Sequence, residues 1–211
     1  MQRSSNADRL SPRAARLVLL DSGGANLGSV QAAFGRLGVD APVTSDWNTI
    51  RDATHVVLPG VGAAAACMAK LRENGLDRVI PRLTQPLIGI CVGMQLLYQR
   101  SEESDTDCLG LLEGTVRLLP QAPGIRIPHM GWNRLEATQT DHPLIGGLSG
   151  ASVYFVHSYG APFSEDSLAT CTHGQPFSAI VARGAVMGAQ FHPERSGAAG
   201  ARLLQNFLAI S

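Results

Sequence analysis

Leu87-Ile88-Gly89-Ile90-Cys91-Val92-Gly93-Met94-Gln95 decides how this chain is read. An apolar run ends in a Gly-x-Cys-x-Gly turn, and the residues from Met94 to Tyr98 after it are helix-like. A side chain on such a strand-to-helix turn stands above the edge of a sheet. Glycines on either side allow a cramped backbone that a Cβ would resist. The turn also sets Cys91 at a helix N-terminus, a setting suited to a nucleophile. A buried structural cysteine is the alternative.

A second half-site lies near the C-terminus. Val186-Met187-Gly188-Ala189-Gln190-Phe191 reads as a short buried strand running into His192-Pro193-Glu194. The proline ends the strand, so imidazole and carboxylate project from one rigid corner. A thiol nucleophile needs a base to take its proton, and the base needs a third group to hold its tautomer. His192 and Glu194 suit those roles. The acid follows the histidine, whereas in α/β-hydrolases it precedes it.

Gly89-Ile90-Cys91-Val92-Gly93-Met94-Gln95 together with Gln190-Phe191-His192-Pro193-Glu194 resembles the class I (triad-type) glutamine amidotransferases. Three further segments narrow the resemblance: Leu58-Pro59-Gly60-Val61-Gly62, Ile127-Pro128-His129-Met130-Gly131-Trp132-Asn133 and Tyr154-Phe155-Val156-His157-Ser158-Tyr159. Together they are similar to the glutaminase-subunit family of imidazole glycerol phosphate synthase, from about residue 16 to 210. The resemblance implies a chain that hydrolyses L-glutamine to glutamate and ammonia through a thioester on Cys91. It implies no cofactor and no metal. It also implies a separate cyclase subunit, a (β/α)₈ barrel, that consumes the ammonia in a heterodimer while making imidazole glycerol phosphate and AICAR in histidine biosynthesis.

Attack on an amide creates an oxyanion, so the site needs preorganised N–H donors. The backbone N–H of Val92, next to the nucleophile, is one candidate. The second is in Gly60-Val61-Gly62, where a peptide at Val61 flanked by glycines turns at little cost. The resemblance implies that this loop flips when the partner is ready; the plainer reading is a tight turn with no catalytic duty. By the same carry-over, Gln95, Gly60, Ser158 and Tyr159 bind the amino-acid end of glutamine. Trp132, in a Gly-Trp-Asn turn, is the candidate interface anchor, with core packing as the alternative and Arg126 and Arg117 as charge partners. His129 and His157 have no partner at metal-ligand spacing and are expected to be structural or interface side chains.

The chain departs from the family pattern where Asp21-Ser22-Gly23-Gly24-Ala25-Asn26 lacks the usual tyrosine and one glycine. The segment after Gly62 is unusually rich in alanine, and Gly160 stands where a larger residue is common. Two other classes stay open: a different class I amidotransferase or Cys hydrolase on the same scaffold, and a non-catalytic regulatory subunit.

Strand and helix alternate over most of the 211 residues. Buried strands are expected at Leu17 to Leu20, Val39 to Val43, His55 to Leu58 and Leu87 to Ile90. Helices are expected at 26–37, 63–74, 76–83 and 198–209, and an acidic exposed loop at 101–108. Later segments alternate with period two and read as hairpin strands. The expected fold is α/β: a single-domain, largely parallel open sheet flanked by helices, with additional β-hairpin strands, over residues 16–211. Residues 1–15 read as a disordered leader, although Arg3, Arg9 and Arg13 also fit a transit peptide.

Seventeen basic and seventeen acidic residues cancel, which gives no support to a nucleic-acid or membrane partner. The four cysteines lack metal or redox spacing. No stretch approaches the roughly 20 apolar residues of a membrane span. A reducing cytoplasm is the expected compartment.

Overall fold

Leu17–Leu20, His55–Gly60 and Leu87–Cys91 are buried along their whole length, as strands covered on both faces must be. The computed structural model describes residues 15–24 and 26–211. The expected leader, apart from Ala15, lies outside the described residues. In chain order the elements begin with β1 (Leu17–Leu20), α1 (Leu27–Gly35), β2 (Val43–Thr44), α2 (Trp47–Asp52), β3 (His55–Gly60), α3 (Ala64–Glu73) and α4 (Leu76–Val79). They continue with β4 (Leu87–Cys91), α5 (Val92–Gln95), β5 (Tyr98–Ser101), β6 (Thr106–Asp107), β7 (Leu112–Leu118), β8 (His129–Arg134) and β9 (Glu136–Ala137). The last are β10 (Ser152–His157), β11 (Tyr159–Gly160), β12 (Ser167–His173), β13 (Gln175–Arg183), β14 (Val186–Ala189) and α6 (Gly197–Leu208).

The main sheet has the order β2-β1-β3-β4-β14-β13-β12-β9. From β2 to β14 the pairing is parallel; β13, β12 and β9 add an antiparallel side. A two-stranded ribbon pairs β10 with β8, and a four-stranded sheet runs β11-β7-β5-β6. The helices bury Val30, Ala33 and Phe34 from α1, Cys67, Met68 and Leu71 from α3, and Leu203, Leu204 and Phe207 from α6. Each large apolar side chain so buried contributes roughly 1.5–3 kcal/mol.

Local expectation gave way in several places. The helix after Cys91 ends at Gln95 instead of reaching Tyr98. The cause is tertiary: the carbonyls of Leu96 and Leu97 accept from Leu109, Leu111 and Leu112, which pulls the chain out of the helix. The strand expected over 39–43 shrinks to Val43–Thr44, and the helix expected over 76–83 keeps helical form only to Val79 before a 3₁₀ turn. Within the acidic loop, Thr106–Asp107 pairs with β5. Trp132 sits not in a turn but on β8, opposite Tyr154. There His129 is buried while Met130 and Trp132 are 64% and 60% exposed, so Trp132 is no core residue.

The elbow rests on bare backbone. A Cβ on Gly89 would lie 2.5 Å from the Gly93 carbonyl oxygen, and one on Gly93 would lie 1.9 Å from that of Leu58. Real Cβ atoms do not approach so closely, so a methyl at either position must push α5 away from β3 and β4. Gly93→Ala is expected to lower stability by roughly 2–3 kcal/mol, as overpacking does. Urea unfolding measures it, and wild-type stability would mean that α5 moves off β3 freely.

Candidate active site

β4 and β14 are parallel neighbours, with Ile90 opposite Ala189. The residues that follow each strand therefore emerge side by side at the carboxyl edge of the sheet. Cys91 leaves β4 at φ 54°, ψ −113°, a backbone that a non-glycine residue adopts only under constraint. Two residues past Gln190 stands His192. Its N–H donates to the Tyr154 carbonyl (3.0 Å). Its carbonyl accepts from Ser196 Oγ (2.7 Å), and that hydroxyl oxygen in turn accepts from the Tyr154 N–H (3.0 Å). The corner is thus tied to β10 at both ends.

The imidazole Nδ1 is 2.8 Å from Glu194 Oε1, which also accepts from Asn26 Nδ2 at 2.5 Å. A carboxylate only accepts, so Nδ1 carries the proton and Nε2 is left for the sulfur. Burial pulls the His192 pKa down, but the Cys91 sulfur and the Glu194 carboxylate outweigh it and hold it above the ordinary value. Burial pushes Glu194 up, and His192 with Asn26 brings it below its ordinary value. The stability His192 contributes is complete below its ordinary 6.5 and is lost as pH rises through the higher folded value. The share from Glu194 is present above its ordinary 4.5 and is lost as pH falls through the lower folded value.

Cys91 and His192 line a cavity of about 420 Å³, within the usual range for small-molecule sites. Val61, Val92, Gln95, Ser158 and Tyr159 share its wall. Gly60 lies behind Val61, against Gly93, rather than in that wall. The register Gly60 opposite Cys91 brings Val61 and Val92, the next residues of two parallel strands, to the same edge. Val61 is held from two sides: its carbonyl accepts from Cys67 Sγ (3.5 Å), and Gly24 packs against its side chain. Ser22, at the position of the missing tyrosine, donates to the Pro59 carbonyl through Oγ. Gln95 donates both its amide hydrogens, to the Tyr159 carbonyl (2.8 Å) and to Gln190 Oε1 (3.0 Å), leaving only its oxygen for a ligand.

Several residues of this site were not singled out in the sequence. Asn26 follows the loop that departs from the family pattern. Gln190 sits inside the quoted motif without a role, yet its Nε2 lies 3.9 Å from Cys91 Sγ. Glu103 comes from the supposedly exposed acidic loop, accepts from the Ala64 N–H (2.7 Å) and lines the cavity. Arg195, also in the wall, covers the Tyr154 ring at 4.7 Å, and Tyr154 meets Trp132 edge-on at 5.9 Å. Arg126 and Arg117 are both exposed. The Arg126 carbonyl bonds His173 beside His129, while Arg117 is on β7, in a different sheet from Trp132. Burial raises the other thiols: Cys67 upward, Cys108 to about 11 and Cys171 to about 12. Among the described residues no group of three or more His, Cys, Asp or Glu could hold a metal ion.

Residues 18–210 match the family model for class I glutamine amidotransferases. The chain belongs to that family. An imidazole glycerol phosphate synthase subunit HisH of Xanthomonas campestris pv. campestris (strain 8004) is 55% identical over 196 residues, covering 92% of this chain and 98% of that one. The HisH subunit of Xylella fastidiosa (strain Temecula1) is 53% identical over 192 residues, 91% of this chain and 96% of its own. A crystal structure of a glutamine amidotransferase superposes with TM-score 0.70 at 23% identity, over 91% of this chain and 97% of that one. The glutaminase domain of Trypanosoma brucei CTPS, with bound acivicin, gives 0.60 at 14%, over 93% and 95%; at those identities both are likenesses of fold. Among the described residues no helix of this amidotransferase is long and apolar enough to cross a membrane.

Replacing Glu194 with Gln in this amidotransferase removes one of the two groups that raise the His192 pKa. The imidazole should then titrate lower than in the wild type, which NMR of the ring can follow; an unmoved titration would free Glu194 of that role.

Proposed function

We propose that this chain is the glutaminase subunit of an imidazole glycerol phosphate synthase, with residues 16–211 as its amidotransferase domain. One observation carries the reading: a thiol at the sheet edge, a carboxylate-bound imidazole and the side chains of a small-molecule-sized pocket converge in a single cavity. The relatives named HisH support it at 55% and 53% identity.

His192 Nε2 takes the proton of Cys91 as the sulfur attacks the side-chain amide carbon of L-glutamine. The oxyanion is received by the backbone N–H groups of Val92 and Val61; one such donor is worth roughly 10²–10³ in turnover. His192 returns its proton to the nitrogen, the C–N bond breaks and ammonia leaves a thioester. Water, deprotonated by the same imidazole, attacks the thioester and frees glutamate. Glu194 keeps the imidazole in its tautomer and compensates its charge. At the far end of glutamine the Gln95 oxygen and the Glu103 carboxylate suit the α-ammonium group, with Ser158 and Tyr159 closing the pocket.

Ammonia released to water becomes ammonium, so a separate cyclase subunit, a (β/α)₈ barrel, receives it in a heterodimer and makes imidazole glycerol phosphate and AICAR. Met130 and Trp132 on the outer face of β8 form the docking surface, with Trp132 as anchor and the exposed Arg126 as a candidate charge partner. A cytoplasmic location goes with this pathway.

Glutamate release is measured with the chain alone and with the cyclase and its nucleotide substrate. Cys91→Ala should abolish it in both states while the complex still makes product from added ammonia; residual glutamine hydrolysis would remove Cys91 as nucleophile. Trp132→Ala should weaken association by about 2 kcal/mol or more, the scale of an interface hot spot. Titration calorimetry reads this, and wild-type affinity would assign the anchor elsewhere.

A further inference from the structure

His129 opens β8, His157 closes β10, and the two are register partners. Both are buried, and neither belongs to the triad. Their protons can be assigned one after another. His157 Nδ1 is 2.8 Å from the Tyr159 carbonyl, which only accepts, so Nδ1 carries the proton. A neutral ring then offers a bare Nε2, 3.1 Å from His129 Nδ1, which must donate. The bare Nε2 of His129 accepts from Asn133 Nδ2 at 3.4 Å, and Asn133 spends its other amide hydrogen on the Thr172 carbonyl at 2.9 Å. Burial agrees with two neutral rings, holding His129 near about 4 and His157 near about 3.

The far end of this chain is the glutamine pocket. The Tyr159 carbonyl that accepts from His157 also accepts from Gln95 Nε2 at 2.8 Å. Gln95 reaches Gln190, whose Nε2 lies 3.9 Å from Cys91 Sγ. Polar contacts thus run unbroken from Cys91 through Gln190, Gln95, Tyr159, His157 and His129 to Asn133, the neighbour of Trp132. His129 has little room to move: it stacks on Phe155 at 4.8 Å and on His173 at 4.1 Å.

We propose that His129 and His157 are positioning residues that fix the Tyr159 carbonyl, and through it Gln95, so that β8 sets the geometry in which glutamine is held. The inference rests on the glutaminase reading and adds that glutamine affinity follows what docks on the outer face of β8. If the pair only filled space, an apolar residue of similar size would serve as well; if the directed hydrogen bond matters, a donor must remain.

The test compares His129→Leu with His129→Asn, whose amide can still donate to His157, both in complex with the cyclase. His129→Leu should raise KM for glutamine roughly tenfold, the scale of a lost buried hydrogen bond, while moving kcat far less, and His129→Asn should stay near the wild type. Equal KM values for all three, or failure of His129→Asn to rescue, would overturn the proposal. Nitrogen NMR of the wild-type rings supplies a readout that needs neither variant nor turnover: both histidines should be neutral Nδ1–H tautomers at pH 7. A charged ring or an Nε2–H tautomer at His157 would overturn it independently. A wild-type complex that did not hydrolyse glutamine would sink the glutaminase reading while leaving the tautomers as assigned.

Discussion

The parallel pairing of β4 with β14 is the constraint on which the rest of the site depends. It sets Ile90 beside Ala189 and so converts two distant stretches of sequence into neighbours at one sheet edge. Everything chemical follows from the residues just beyond the paired strands, as expected for open α/β sheets, whose ligands gather at carboxyl ends. The elbow that follows β4 is itself conditional on missing side chains: α5 meets β3 at Gly93 at a distance that leaves no room for a methyl group.

Burial and charge compete inside this edge. Desolvation alone would neutralise both His192 and Glu194, yet each is displaced toward its charged form by the other and by the sulfur and amide beside them. The histidines at 129 and 157 show the opposite outcome a short distance away. Their hydrogen-bond partners are each other, the Tyr159 carbonyl and the Asn133 amide, with no carboxylate among them, and burial wins. One residue type performs two functions because its hydrogen-bond partners differ in charge.

Much of this was legible in the chain because the decisive signals are local. The elbow needs two glycines, each two positions from Cys91, and the His-Pro-Glu corner needs three consecutive residues. Buried strands announce themselves as unbroken apolar runs. What could not be read was set by partners remote in sequence. Leu96 and Leu97 look helical until the segment at 109–112 captures their carbonyls. Trp132 follows a glycine and resembles a turn until Tyr154 pairs with it across the ribbon. Asn26, Gln190 and Glu103 are ordinary polar residues in sequence, and only the fold brings their side chains to Glu194, to the sulfur and to the cavity wall. The short helix α2 did leave a trace, Asp46 as the cap that accepts from the Thr49 N–H at 2.8 Å, but six residues are too few for periodicity to register.

The sulfur chemistry of the chain is sharply divided. Cys67, Cys108 and Cys171 are kept as thiols at neutral pH by the apolar matter around them, and a thiol is a poor reactant toward electrophiles. Cys91 alone has an imidazole at hand to receive its proton. An electrophile shaped like an amino acid would therefore find one responsive sulfur against a silent background, so the chain can be tagged at a single atom without removing any other cysteine.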